Sequence, residues 1–183
     1  GGGDTWIAGT YDPDLNTTYW GTAQTKPWFR ASRKSGDGAT LYSSSTLALN
    51  PDDGKLKWYF QHAPGETLDL DEVFERVLIN HGDQKVLLTI GKPGILWKLD
   101  RVTGKFIAAK ETMFQNVFSK IDQQTGEVTY RSDILGQKTN QWFSSCPGPQ
   151  GGHDWQATSY NQPTDLLIIP LSQSCVMIKG LDV

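Results

Sequence analysis

Four carboxylates crowd the eight residues Gly65-Glu66-Thr67-Leu68-Asp69-Leu70-Asp71-Glu72. If this run is extended, Asp69 and Asp71 project from the same face, roughly 6–7 Å apart. Their mutual repulsion is then about 2–3 kcal/mol at an effective dielectric near 20. A hard cation bound by carboxylate oxygens relieves it. The bland alternative is a solvated acidic loop or the start of a helix, where negative charge is welcome. Lys92, in Ile90-Gly91-Lys92-Pro93-Gly94, occupies a hairpin tip, where it is either solvated or turned toward a site. Trp6 follows Gly1-Gly2-Gly3-Asp4-Thr5. Its indole can floor a planar ligand, since the small neighbours leave its approach open, or it can serve as plain core. His62, His81 and His153 are scattered, with no nucleophile motif beside them, and read as surface or loop histidines. Cys146 and Cys175 either form a disulfide, worth about 3–4 kcal/mol for a loop of that size, or stay reduced as small apolar side chains. The Cys and His residues do not have the spacing of a zinc site, and no GxGxxG nucleotide loop is present.

The elements that must position these residues read as strands. The 183 residues carry 17 basic and 20 acidic side chains, a net charge of −3, with no basic cluster, so a nucleic-acid partner is not expected. No apolar run approaches the roughly 20 residues of a membrane-spanning helix. Nineteen glycines and nine prolines argue for many turns and against long helices. A weak repeat runs along the chain: an apolar residue, Asp or Asn, a turn, then β-formers. Its leading residues are Asp12, Asn50, Asp100, Asp122 and Asn161, with Gly54, Gly104 and Gly126 placed to supply positive φ. Several of the spacings are near 40–50 residues, the size of a four-stranded propeller blade; an ordinary antiparallel sheet with similar turns is the alternative. Lys85–Ile90 and Ile95–Leu99 form a hairpin. Leu68–Leu78 is a short helical turn or loop leading into a strand, and residues 22–40 and 131–157 are long connections of the kind that carry function. The chain opens without a signal peptide and ends on no natural stop, and is expected to be a piece of something larger.

The ordered set Gly1-Gly2-Gly3-Asp4-Thr5-Trp6, Tyr11-Asp12-Pro13-Asp14-Leu15-Asn16, Tyr19-Trp20-Gly21-Thr22-Ala23-Gln24 with Pro27-Trp28, Pro64 to Asp71, Gly91-Lys92-Pro93-Gly94, the two cysteines and Gly151-Gly152-His153-Asp154-Trp155 resembles the middle of the pyrroloquinoline-quinone (PQQ) dependent methanol/ethanol dehydrogenases. The resemblance covers essentially the whole chain. It implies an all-β fold, with residues 1–183 forming the central part of an eight-bladed β-propeller. That is about four blades' worth of four-stranded antiparallel sheet, and the remaining blades lie outside this chain. It further implies oxidation of a small primary alcohol in the periplasm, with PQQ and a calcium or lanthanide ion as cofactors and a cytochrome c as electron acceptor. Within it Asp69 matches the catalytic base, Trp6 the quinone-stacking tryptophan and Lys92 the cation at the quinone's dione. Asp69, Asp71 and Gln24 match the metal ligands, Asp71 being the extra ligand of the lanthanide branch. Asp154 falls where the family usually has Asn near the cofactor, Gln24 where calcium enzymes have Asn, and Leu68 where Trp is usual. A non-catalytic propeller that binds proteins is the competing reading.

Overall fold

A computed structural model describes residues 3–182, so the opening Gly1-Gly2 of the resemblance lies outside the described residues. Two complete four-stranded antiparallel sheets come first. One runs β1 (Thr10–Asp12), β2 (Thr17–Gly21), β3 (Ser45–Leu49) and β4 (Leu56–Gln61). The other runs β5 (Val77–His81), β6 (Gln84–Ile90), β7 (Ile95–Asp100) and β8 (Phe106–Glu111). In both, sequence order is spatial order, the meander of a propeller blade. Three two-stranded pairs follow: β9 (Phe118–Ile121) with β10 (Val128–Tyr130), β11 (Phe143–Ser145) with β14 (Val176–Ile178), and β12 (Ser159–Asn161) with β13 (Leu166–Ile168). This is a partial β-propeller, as the repeat leads one to expect.

The repeat itself is a turn device. Asn50, Asp100 and Asp122 each accept, through side-chain Oδ1, a backbone N–H two residues on; the two aspartates also take the next amide. In all three loops the glycine amide (Gly54, Gly104, Gly126) donates back to the leading residue's carbonyl at 2.8 Å. These glycines sit at φ 71°, 75° and 78°, where a side chain would be strained. Gly104 and Gly126 serve packing as well: a Cβ there would meet Trp58 at 2.5 Å and Phe106 at 2.5 Å. At Gly104 and Gly126 the turn is thus a seat for an aromatic residue from the unit before it, whereas Gly54 faces open space.

The two complete blades share a core of Tyr19, Ala48, Leu87 and Leu99, with Trp58, Phe60, Leu78 and Phe106 packed against it. A buried ion pair adds a second tie, since Arg101 Nε lies 2.7 Å from Asp12 Oδ2 and both side chains are almost fully enclosed. A larger core centres on Trp97, which is completely buried, with Leu68, Leu70, Ile95, Phe118 and Phe143.

The long connections hold little regular structure. Residues 22–40 contain a single helical turn, α1 (Arg30–Arg33), and residues 131–157 contain α2 (Ser132–Leu135) and β11. No helix forms in Leu68–Leu78; residues 62–76 are irregular and then enter β5. Among the described residues no helix is long and apolar enough to cross a membrane. Cys146 and Cys175 are joined by a disulfide, which removes the reduced alternative. Two histidines depart from expectation: His62 and His153 are buried, with Nε2 of His62 2.8 Å from Thr46 Oγ1 and Nδ1 of His153 3.1 Å from the Pro170 carbonyl.

Candidate functional site

The segment 62–76 links the two blades. It is buried throughout except at Pro64, Asp69 and Glu75, which are partly exposed. Buried backbone outside a ladder still needs hydrogen-bond partners, and here cationic side chains supply many of them. Arg30 Nη2 donates to the Gly65 carbonyl at 2.7 Å, and Arg33 Nη2 to the Glu66 carbonyl at 2.6 Å. Arg76 Nη2 donates to the Glu72 carbonyl at 2.7 Å, and Arg76 Nη1 to that of Phe74. Lys92 Nζ reaches the Asp69 carbonyl at 3.3 Å. So held, Asp69 adopts φ 60°, a left-handed conformation that costs a non-glycine residue about 1 kcal/mol. The Asp69–Asp71 stretch is therefore not the extended strand that a simple alternation suggests.

The two carboxylates nevertheless meet one cation. Lys92 Nζ lies 2.8 Å from Asp71 Oδ2 and 3.9 Å from Asp69 Oδ2. Its side chain is 8% exposed, so the solvated hairpin tip is not what forms. The hairpin end is fixed by backbone: the Lys92 amide donates to the Asp71 carbonyl at 2.9 Å, and the Gly152 amide to the Lys92 carbonyl at 2.6 Å. Gly91 must be small, since a Cβ there would fall 2.4 Å from Glu72 Oε2 and 2.7 Å from the Asp71 carbonyl. Asp71 Oδ1 accepts the Gln24 amide at 2.8 Å, while Gln24 Oε1 is buried with no hydrogen-bond partner. Gln24, the Asp69–Asp71 pair and Lys92 thus gather from three separate stretches of chain.

Trp6 approaches by way of aromatic contacts. It packs edge-on against Phe74 at 5.2 Å between ring centroids, and Phe74 against His153 at 5.0 Å. His153 adjoins Asp154, whose carboxyl feels both the Lys92 and the Asp71 charge. Trp6 is 43% exposed, so its indole is not plain core.

Charge is uncomfortable throughout the site. Burial raises the Asp69 carboxyl above the usual range; Lys92 pulls it down and Asp71 pushes it up. Asp154 is raised by burial against the pull of Lys92. An acid raised by burial beside a buried cation is the kind of group that can exchange a proton with a ligand.

The sequence profile of the PQQ family, described as the glucose/ethanol/alcohol dehydrogenase β-propeller domain, matches residues 1–115. The chain belongs to this PQQ β-propeller family. Quinohemoprotein alcohol dehydrogenase ADH IIB of Pseudomonas putida is 36% identical over 177 residues, 94% of this chain and 25% of that protein. The solved quinohemoprotein alcohol dehydrogenase of Comamonas testosteroni superposes with a TM-score of 0.84 at 36% identity, covering 93% of this chain and 26% of that one. A europium-containing methanol dehydrogenase superposes with a TM-score of 0.91 at 29% identity, covering 100% and 32%. The chain therefore spans about a quarter to a third of the relatives it matches.

A PQQ-family site calls for a planar quinone and a hard metal ion, and the residues suit both in kind. Gln24 Oε1, Asp69 and Asp71 are hard oxygen donors, and the orphaned Gln24 oxygen is the group a cation would satisfy. Among the described residues no three His, Cys, Asp or Glu side chains converge as a metal cluster, so these donors are a partial set. The half-exposed Trp6 ring suits a flat ligand. Sequence reasoning missed the buried Glu66, Glu72, Arg30 and Arg76 and the half-buried Arg33. The density of acids in residues 66–72 marked the place; the arginines that answer them gave no local signal.

Proposed function

We propose that the full-length protein is a PQQ-dependent alcohol dehydrogenase of the periplasm that oxidises a small primary alcohol to an aldehyde. In this reading residues 1–183 are the central portion of its single propeller, and the remaining blades lie outside this chain. The observation that carries the reading is the convergence of Asp69, Asp71 and Gln24 around Lys92, with two carboxylates within 4 Å of one buried ammonium. The matched relatives named as alcohol dehydrogenases support it. When bound, the quinone supplies the hydride acceptor and a calcium or lanthanide ion the Lewis acid that polarises it.

The roles of this chain's own residues follow from their surroundings. Asp69, raised by burial yet close to Lys92, takes the proton from the alcohol hydroxyl. Lys92 holds positive charge where negative charge builds during the reaction. Trp6 offers the ring face on which the cofactor lies. Gln24, Asp69 and Asp71 would hold the metal, and the second carboxylate would suit a trivalent ion. Asp154, which feels the Lys92 and Asp71 charges, would lie beside the bound cofactor. A cytochrome c is the expected electron acceptor, in keeping with the quinohemoprotein relatives.

The test is Asp69→Asn in the full-length protein loaded with quinone and metal. Turnover should fall by about 10²–10⁴-fold, the usual worth of a general base, with quinone absorbance unchanged. Unaltered turnover refutes the assignment. Asp71→Ala should shift the metal preference from lanthanide toward calcium.

A further inference from the structure

We infer that Glu66 is a positioning residue for Asp69, a proposal that rests on the reading of Asp69 as the base. Glu66 is 1% exposed and sits three residues before Asp69. Its Oε1 accepts the backbone N–H of Leu68, the residue immediately before Asp69. Its Oε2 has no hydrogen-bond partner, and the backbone amides of Leu68 and, more weakly, Leu70 on the Asp69 flanks are the groups its charge answers. A buried carboxyl is costly, and salt bridges do not account for this one. The Arg30 and Arg33 guanidinium groups bond to the Gly65 and Glu66 backbone carbonyls rather than to the carboxylate.

The arrangement works as a splint. Arg30 and Arg33 fix the peptides at 65 and 66 from α1. Thr67 Oγ1 accepts the Arg30 amide at 2.7 Å and donates to Gln137 Oε1 at 3.0 Å. The Glu66 carboxyl then carries this fixed frame forward to the Leu68 amide. Asp69 follows at once in its left-handed conformation, which persists only where its surroundings over-determine it. Without the Glu66 bond, the Leu68 amide is left buried and unpaired, and the peptide leading into Asp69 is free to turn. The Asp69 carboxylate then loses its fixed distance from Lys92.

The experiment compares Glu66→Met, Glu66→Gln and Asp69→Asn in the full-length enzyme, with kcat expressed per bound quinone. Glu66→Met should lower per-site kcat at least tenfold, with KM for a short primary alcohol changed less than threefold. Glu66→Gln, which keeps an oxygen on the Leu68 amide, should restore per-site kcat to within threefold of the parent. A residue that merely supports the fold would lower the number of loaded sites and leave per-site kcat alone. Per-site kcat within twofold of the parent in Glu66→Met overturns the proposal. So does a Glu66→Gln enzyme slowed tenfold, and this arm decides the matter even where the methionine variant does not load. Asp69→Asn separates the two ideas: if it cuts turnover at least a hundredfold while Glu66→Met stays within twofold of the parent, only the splint is wrong. If Asp69→Asn keeps its turnover, the base assignment and the splint fall together.

Discussion

Cutting the Asp12–Arg101 pair tests how the two complete blades are joined. Both side chains are almost fully enclosed, and the Nε–Oδ2 distance is 2.7 Å. Asp12→Leu removes the partner but leaves the guanidinium buried, with one remaining side-chain bond to the Ile79 carbonyl at 3.1 Å. Breaking a buried pair from one side costs about 3–5 kcal/mol. The turn loses more, because Asp12 Oδ1 also accepts the Asp14 amide at 3.0 Å, a bond worth about 1 kcal/mol. Replacing both partners, as Asp12→Leu with Arg101→Met, leaves no stranded charge, so the double variant should regain about 2–3 kcal/mol against the sum of the singles. Urea unfolding of the intact protein at neutral pH, followed by tryptophan fluorescence, reads all four corners of the cycle. The coupling should change little between low and high salt, because a pair this enclosed is poorly screened. A single-variant cost under about 1 kcal/mol, or additivity within about 0.5 kcal/mol, would show that the blades are held by their apolar seam and not by this pair.

Three further outcomes follow from the same geometry. Trp97→Ala should cost about 3–5 kcal/mol in the same unfolding assay, since a fully buried indole that packs against Phe60 and His62 leaves a void nothing nearby can fill. Gly91→Ala should lower turnover per bound quinone in the full-length enzyme, because its new methyl collides with Glu72 and with the Asp71 carbonyl; activity equal to the parent would show that the Lys92 turn has room to shift. Burial, against the pull of the Leu68 amide, raises the Glu66 carboxyl to about 7, above its unfolded value of 4.5, so its folded form keeps a proton that the unfolded chain gives up. Wild-type stability should therefore decline relative to Glu66→Gln by about 2–3 kcal/mol as pH rises from about 4.5 to about 7, and run parallel to it above; parallel curves across that window would refute the buried acid.

The fold was legible where local chemistry repeats. Asn50, Asp100 and Asp122 announce their turns because the side chain that closes each one is two or three residues from the amide it binds. The hairpin from Lys85 to Leu99 showed equally well, since a β-rich run on each side of Pro93-Gly94 leaves few other choices. The site was legible in part. Asp69 and Asp71 stood out by crowding, but their shared cation comes from Lys92, more than twenty residues on, and spacing alone offered a solvated tip as readily. His62 and His153 were misplaced at the surface because nothing beside them in sequence reveals Thr46 or the Pro170 carbonyl as partners. The left-handed Asp69 was likewise invisible, for an aspartate tolerates that conformation without advertising it.

The placement of the site on a connector rather than on a strand has a physical reason. In β2, β3, β6 and β7 the backbone groups pair across the ladders, leaving little for side chains to do but pack. Residues 62–76 have no ladder, yet they are almost wholly buried. Their carbonyls must find donors elsewhere, and Arg30, Arg33, Arg76 and Lys92 provide them. Bringing Arg30, Arg76 and Lys92 into the interior and Arg33 half-way would be prohibitive alone. The same segment carries Asp69 and Asp71, whose carboxylates lie within 4 Å of the Lys92 ammonium, while burial keeps Glu66 and Glu72 protonated well above the usual carboxylate range. Each cation thus answers a backbone carbonyl at short range, and Lys92 a carboxylate as well. Once such a neutralised cluster exists, one edge of it can face a ligand at little added cost. Asp69 is the carboxylate in the run that is partly exposed, and it is where that edge opens.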